Sequence, residues 1–177
     1  MKKIVLGLVF VLFNFNITLD NVVINLIPTF LGYFFIMNAC VRLADETSND
    51  LYLETRKYAL LLFVISLFIF VLDLLGLGAI NPIFSLAVGI LNLVLFLVFL
   101  QRLTQSVSQT IQFNLLESWI QQINSLYKWI AILNVLGYIL LITPVIALIV
   151  LLIAIIFNVR YILMLNSLNQ SLESQYL

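Results

Sequence analysis

Between Trp129 and Leu165 the chain runs for 37 residues with one charged side chain, Arg160. As a single α-helix that stretch would be about 55 Å long, nearly twice the roughly 30 Å hydrocarbon core of a bilayer. It has to fold in two. Thr143-Pro144 near its middle is the natural break, because proline ends one helix and starts the next well.

The rest of the sequence repeats this pattern. Apolar runs cover 4–19, 28–43, 58–76, 82–103, 127–143 and 145–166, and the third extends back as a helix to Leu51 behind an Asp50 N-cap. Hydrophobic residues make up 64% and charged residues 9% of the 177, against about 45–50% and about 25% in a soluble domain. With a mean hydropathy of +1.19, the chain has too few polar side chains to cover a water-exposed surface. It reads as an integral membrane protein.

Pro28, Pro82 and Pro144 each fall between two apolar runs, and each pair of runs is followed by a polar stretch at 44–54, 101–128 or 167–177. The pattern predicts an all-α, polytopic membrane bundle of six transmembrane helices in three hairpins. These lie at about 4–43, 51–103 and 127–166 of one transmembrane domain spanning 1–177. Leu19-Asp20 and Leu72-Asp73 precede their prolines at similar distances, which the preference of Asp and Pro for turns explains without a duplication. Lys2-Lys3 before a short apolar run also fits a signal peptide, but residues 13–19 offer no small-x-small cleavage pattern, so the first run is read as an uncleaved helix. With six spans, Lys2, Lys3, Arg42, Arg56, Lys57, Arg102, Lys128 and Arg160 all map to the side of the N-terminus, Arg160 by snorkelling. Positive charge marks the cytoplasmic face. The expectation is a multi-pass protein of the cell membrane with both termini cytoplasmic.

Much chemistry is excluded. The net charge is zero, there is no His, and Cys40 is the one cysteine. That removes a basic field for nucleic acid, His/Cys zinc sites, His-held haem, disulfides and His-based catalysis. Phosphate-binding glycine loops, Gly-x-Ser-x-Gly and His-Glu-x-x-His are missing as well. No enzyme activity and no cofactor are expected. Cys40 reads as a small apolar residue, and Asn16-Ile17-Thr18 and Asn169-Gln170-Ser171 as coincidental matches to the glycosylation triplet. Ser85 and Gly89 form a small-xxx-small pair suited to close helix approach.

Polar residues inside spans are the candidates that remain. Asn38 and Asn92 each follow their hairpin proline by ten residues and Asn134 precedes Pro144 by ten, so each lies about 15 Å from the outer turn. Asn14 lies at a comparable depth from the other face. This layer of Asn14, Asn38, Asn92 and Asn134 either coordinates a ligand or joins helices by hydrogen bonds, and the second is the simpler account. Asp20 and Asp73 form a candidate outer acidic pair that could hold a cation or share a proton, although interfacial, solvated carboxylates are the plainer reading. The linker at about 101–128 carries Leu103, Val107, Ile111 and Leu115 at helical spacing, and Asn114-x-x-Glu117 resembles a capping box. Either this amphipathic cytoplasmic linker lies on the membrane or docks a partner, or the fourth and fifth helices extend past the bilayer and pack together, which its few basic residues favour.

The stretch Asn25-Leu26-Ile27-Pro28-Thr29-Phe30-Leu31-Gly32-Tyr33-Phe34 resembles a segment of small, uncharacterised integral membrane proteins of Gram-positive bacteria. In that pattern an acid often follows the proline, where this chain has Thr29, and Asn14 stands where another acid is expected. The resemblance covers about forty N-terminal residues and implies no activity. A looser likeness is to substrate-binding subunits of energy-coupling-factor vitamin transporters, six-helix proteins of this size, although their Ala-x-x-x-Ala docking motif is missing from the first helix. Without a nucleophile, a metal cluster or a mid-membrane charge, the leading expectation is a non-enzymatic scaffold, partner or regulatory subunit. Its partners would be the lipid bilayer and a membrane protein or a second copy, with no nucleic acid. The alternative is a small-solute carrier or substrate-binding subunit that uses the asparagine layer.

Overall fold

The computed structural model describes the backbone of residues 1–13, 16–19, 22–25, 28–75, 82–113, 117–140 and 143–175, with side chains at 1–13, 28–75, 86–111, 118–140, 143 and 145–171. Among these residues six helices follow one another: α1 (Lys2–Leu12), α2 (Thr29–Thr47), α3 (Leu51–Leu74), α4 (Pro82–Phe113), α5 (Glu117–Ile139) and α6 (Pro144–Gln175). Pro82 and Pro144 each open a helix, where the missing N–H costs nothing. Each helix packs on its sequence neighbour, and α6 closes back onto α1. The protein is a helical membrane bundle.

The first apolar run departs from the expected helix. After eleven helical residues the chain forms strand β1 (Asn16–Leu19), antiparallel to β2 (Val22–Asn25), with Leu19 opposite Val22 and Asn16 opposite Asn25. Isoleucine, valine and threonine fill these strands, and their branched Cβ favours extended backbone. α1 is therefore about 16 Å long, half the thickness of the hydrocarbon core. Among the described residues, three helices are long and apolar enough to cross a membrane, through Leu51–Leu74, Leu86–Ile111 and Val145–Ser171. The expected six spans in three hairpins are not supported. α1 is too short, α2 carries Arg42, Asp45 and Glu46 in its last turns, and amides and Lys128 occupy the first half of α5.

Over 60–71 of α3, 86–94 of α4 and 145–156 of α6 the exposed side chains are all apolar. On α3 they include Leu60, Val64, Phe68 and Val71, and on α4 Leu91 and Val94. The first half of α6 is exposed on nearly every side, with only Ala147 and Ala154, seven residues apart, buried on one face. Water would not tolerate such an area, whereas lipid chains solvate it.

Two kinds of contact fix the interior. At the α1–α2 crossing, Gly7 and Gly32 face each other: a Cβ on Gly32 would sit 2.5 Å from the Gly7 carbonyl oxygen and 3.0 Å from the Val11 nitrogen. The backbones touch because neither residue has a side chain. Between α3 and α4 a buried polar seam does the joining. Ser48 turns the chain in a left-handed conformation (φ 50°), and Asn49 behind it caps α3 by accepting the Leu51 N–H at 3.1 Å. Asp50 holds the N-cap position as expected but makes no side-chain capping bond, which Asn49 supplies instead. The Asn49 Nδ2 also donates to the Ser106 carbonyl (3.0 Å) and the Thr110 Oγ1 (3.3 Å). Tyr52 Oη meets Thr110 Oγ1 at 3.2 Å, and Thr55 Oγ1 meets Ser106 Oγ at 2.9 Å. The seam reaches α6 through Thr104 and Tyr161, 2.8 Å apart.

Most of the 101–128 stretch is helical. α4 runs unbroken to Phe113, with Leu103, Val107 and Ile111 buried, and α5 resumes at Glu117 with Ile123 buried. The stripe is packed on neighbouring helices. Arg102 lies 3.3 Å from Glu54 at the start of α3, which ties this end together further.

Candidate binding site

Helical spacing decides which polar groups can meet. Asn92 and Phe96, Asn134 and Tyr138, and Thr29 and Tyr33 are each four residues apart, so each pair shares a face of its helix. The bundle turns those three faces towards one cavity of about 320 Å³, which the end of α1 (Val11, Leu12), Leu93 of α4 and Asn158 of α6 complete. Five helices therefore supply its wall. The volume lies at the lower end of the roughly 300–1,000 Å³ found for small-molecule sites.

Asn134 donates its Nδ2 to the Ile130 carbonyl and Asn158 its Nδ2 to the Ala154 carbonyl, both at 2.8 Å and both one turn back on the same helix. Each bond fixes the amide plane while leaving the second N–H and the Oδ1 lone pairs for another partner. Asn92 goes further: its Oδ1 is buried without a hydrogen-bond partner. Such an orphan acceptor costs about 1–3 kcal/mol unless a donor reaches it. Tyr138 donates to the Gly89 carbonyl across the α4–α5 contact at 3.3 Å. Gly89, half of the expected small-xxx-small pair, makes room for that phenol, since a Cβ there would lie 3.2 Å from the hydroxyl oxygen. Tyr33 is fully buried and stacks edge-on against Phe99 at 5.9 Å.

The cavity wall carries amides, phenols, a hydroxyl and apolar groups, but no charged side chain. An ion there would have no opposite charge to offset its lost hydration. The arrangement suits a neutral molecule that donates and accepts hydrogen bonds.

The structure divides the asparagine layer. Asn92 and Asn134 come together, and Asn38 does not: it is exposed and donates to the Phe34 carbonyl of its own helix at 3.1 Å. Asn14 lies outside the described residues. Asn158, which sequence depth left out, joins the other two. Asp73 sits at the end of α3, and Asp20, its expected partner, lies outside the described residues. No cluster of three metal-ligating side chains occurs among the described residues. Cys40 is buried as a free thiol, and Glu46 lies 3.8 Å from Arg42. Because Asn38 faces away from the cavity, Asn38→Leu should leave stability within about 0.5 kcal/mol of the parent protein in thermal unfolding. A loss several times larger would mean that this face is covered. Comparison of the chain with protein-family models, curated proteins and solved structures finds no match.

Proposed function

We propose that the protein is a membrane carrier or substrate-binding subunit, without enzymatic activity, for a small, uncharged, hydrogen-bonding solute held in the cavity. One observation carries this reading: Asn92, Asn134 and Asn158 from three helices converge on one uncharged cavity of about 320 Å³. Amides that merely joined helices would bond to each other or to a facing backbone. Two of these bond within their own helix and the third keeps a buried oxygen unpaired. The scaffold reading rested on a missing nucleophile, metal cluster and mid-membrane charge, and the convergence of the amides favours a solute site over it.

In the same proposal the protein resides in the cell membrane with both chain ends cytoplasmic. The clustering of Lys2, Lys3 and Arg42 around one groove, and of Arg102 with Glu54, at a single end of the bundle supports that orientation through the positive-inside bias.

The test is a thermal-shift and calorimetric screen of purified protein against uncharged polyols, carboxamides and nucleobases, with charged analogues of matched size. A neutral compound should bind one per chain, and Asn92→Leu and Asn134→Leu should each weaken it about tenfold, the equivalent of one lost hydrogen bond of about 1.4 kcal/mol. Charged analogues binding as well as neutral ones would defeat the reading. So would a stoichiometric protein partner co-purifying while no solute binds.

A further inference from the structure

We propose a second site, at the other end of α1 and α2 from the amide cavity, that holds the phosphate of an anionic membrane lipid. α1 contributes Lys2 and Lys3 from its first turn, and α2 contributes Ala39, Arg42, Leu43 and Glu46. Those α2 positions are i, i+3, i+4 and i+7, one continuous face. Asn169 of α6 is buried in the wall, and the groove has a volume of about 270 Å³.

Three features point to a lipid phosphate. Among the described lining residues Lys3 and Arg42 are exposed cations, and Glu46 reaches Arg42 only loosely, at 3.8 Å with both side chains more than half exposed. The N-terminal turn of α1 adds the positive end of a helix dipole to the same groove. Depth supplies the third. Asn169 is 25 residues beyond Pro144 along unbroken α6, about 37 Å, which exceeds the roughly 30 Å hydrocarbon core and places the groove among headgroups. The buried Ala39 and Leu43 give it an apolar side, which suits the glycerol and first methylenes of a lipid better than a free anion.

The experiment titrates detergent-purified full-length protein with short-chain phosphatidylglycerol, short-chain phosphatidylcholine and inorganic phosphate, and reads bound adducts by native mass spectrometry. Phosphatidylglycerol should bind the tightest, because the choline cation meets the like charges of Lys3 and Arg42. Lys3→Gln and Arg42→Gln should each weaken it about fivefold, as expected for one basic residue near an anionic surface. Arg160→Gln, on an exposed position of α6 outside the groove, should leave binding unchanged. Lys3 is exposed in the first turn, so its variant keeps the test decisive if Arg42→Gln fails to fold. Equal binding of the two lipids, or an equal loss with Arg160→Gln, would overturn the site. Displacement of the lipid by equimolar inorganic phosphate would reassign the groove to a free anion and overturn the lipid assignment.

Discussion

Gly32→Ala is expected to destabilise the protein by about 2–3 kcal/mol, the upper part of the usual range for overpacking. Helix propensity alone gives the opposite sign, since alanine is favoured over glycine inside a helix by about 1 kcal/mol. The crossing decides. A Cβ at Gly32 would lie 2.5 Å from the Gly7 carbonyl oxygen, 2.8 Å from Val11 Cγ2 and 3.0 Å from the Val11 nitrogen. Two of these three are backbone atoms of a rigid helix, so relief requires α1 and α2 to move apart. Gly7→Ala meets the same geometry from the other side, at 2.6 Å from the Gly32 carbonyl oxygen, together with a more yielding Ile36 side chain at 2.5 Å. The double variant should cost less than the sum of the two, because helices already separated by one methyl accommodate the second. Thermal unfolding in detergent measures all three. A Gly32→Ala protein as stable as its parent would show that the close approach does not hold the bundle. The effect reaches the cavity as well, since Val11, Leu12, Thr29 and Tyr33 line it from these two helices. Solute binding should weaken together with stability.

The sequence carried the helices better than the site. Apolar runs and prolines located five of the six helices, because burial in lipid or protein demands continuous apolar sequence whichever neighbour a helix finds, but α4, α5 and α6 each run nine or ten residues beyond their apolar stretch. The first run failed for a legible reason. Residues 16–25 read Asn-Ile-Thr-Leu-Asp-Asn-Val-Val-Ile-Asn, which is two β-branched quartets around Asp-Asn, a hairpin signal that apolarity alone conceals. Span counting had no sense of this, since strands and helices are equally greasy.

Depth arithmetic was blind in another way. It fixes the height of a residue and leaves its azimuth open. Asn38 is five residues beyond Tyr33, which turns it about 140° around the helix axis, so when Tyr33 faces the cavity Asn38 cannot. Asn158 was missed because it lies 14 residues past Pro144 rather than ten, although it bonds one turn back just as Asn134 does. Combining height with the face set by Thr29-Tyr33, Asn92-Phe96 and Asn134-Tyr138 would have separated the two groups. Gly7 and Gly32 also left a trace that went unread: a glycine within an apolar helix sacrifices stability unless it buys a close contact.

The other large expected effect lies in the polar seam. Asn49→Leu should cost about 3 kcal/mol, because one amide there performs three tasks: it caps α3 at the Leu51 N–H, donates to the Ser106 carbonyl, and donates to Thr110 Oγ1. Losing a cap costs about 1 kcal/mol and each hydrogen bond about the same. The partners soften the loss unequally. The Ser106 carbonyl still accepts from Thr110 at 3.0 Å, and Thr110 still meets Tyr52 at 3.2 Å, but the Leu51 N–H loses the side-chain oxygen that capped it. Tyr52→Phe removes a single contact from the same network and should cost about 1 kcal/mol. Because Asn49 and Thr110 touch directly, Asn49→Leu combined with Thr110→Val should fall short of additivity by about 0.5 kcal/mol or more. Chemical or thermal unfolding of the four proteins, with Asn38→Leu as the exposed-amide comparison, measures each quantity. If Asn49→Leu proves as mild as Asn38→Leu, α3 and α4 are joined by their apolar contacts, and the seam contributes specificity of register rather than stability.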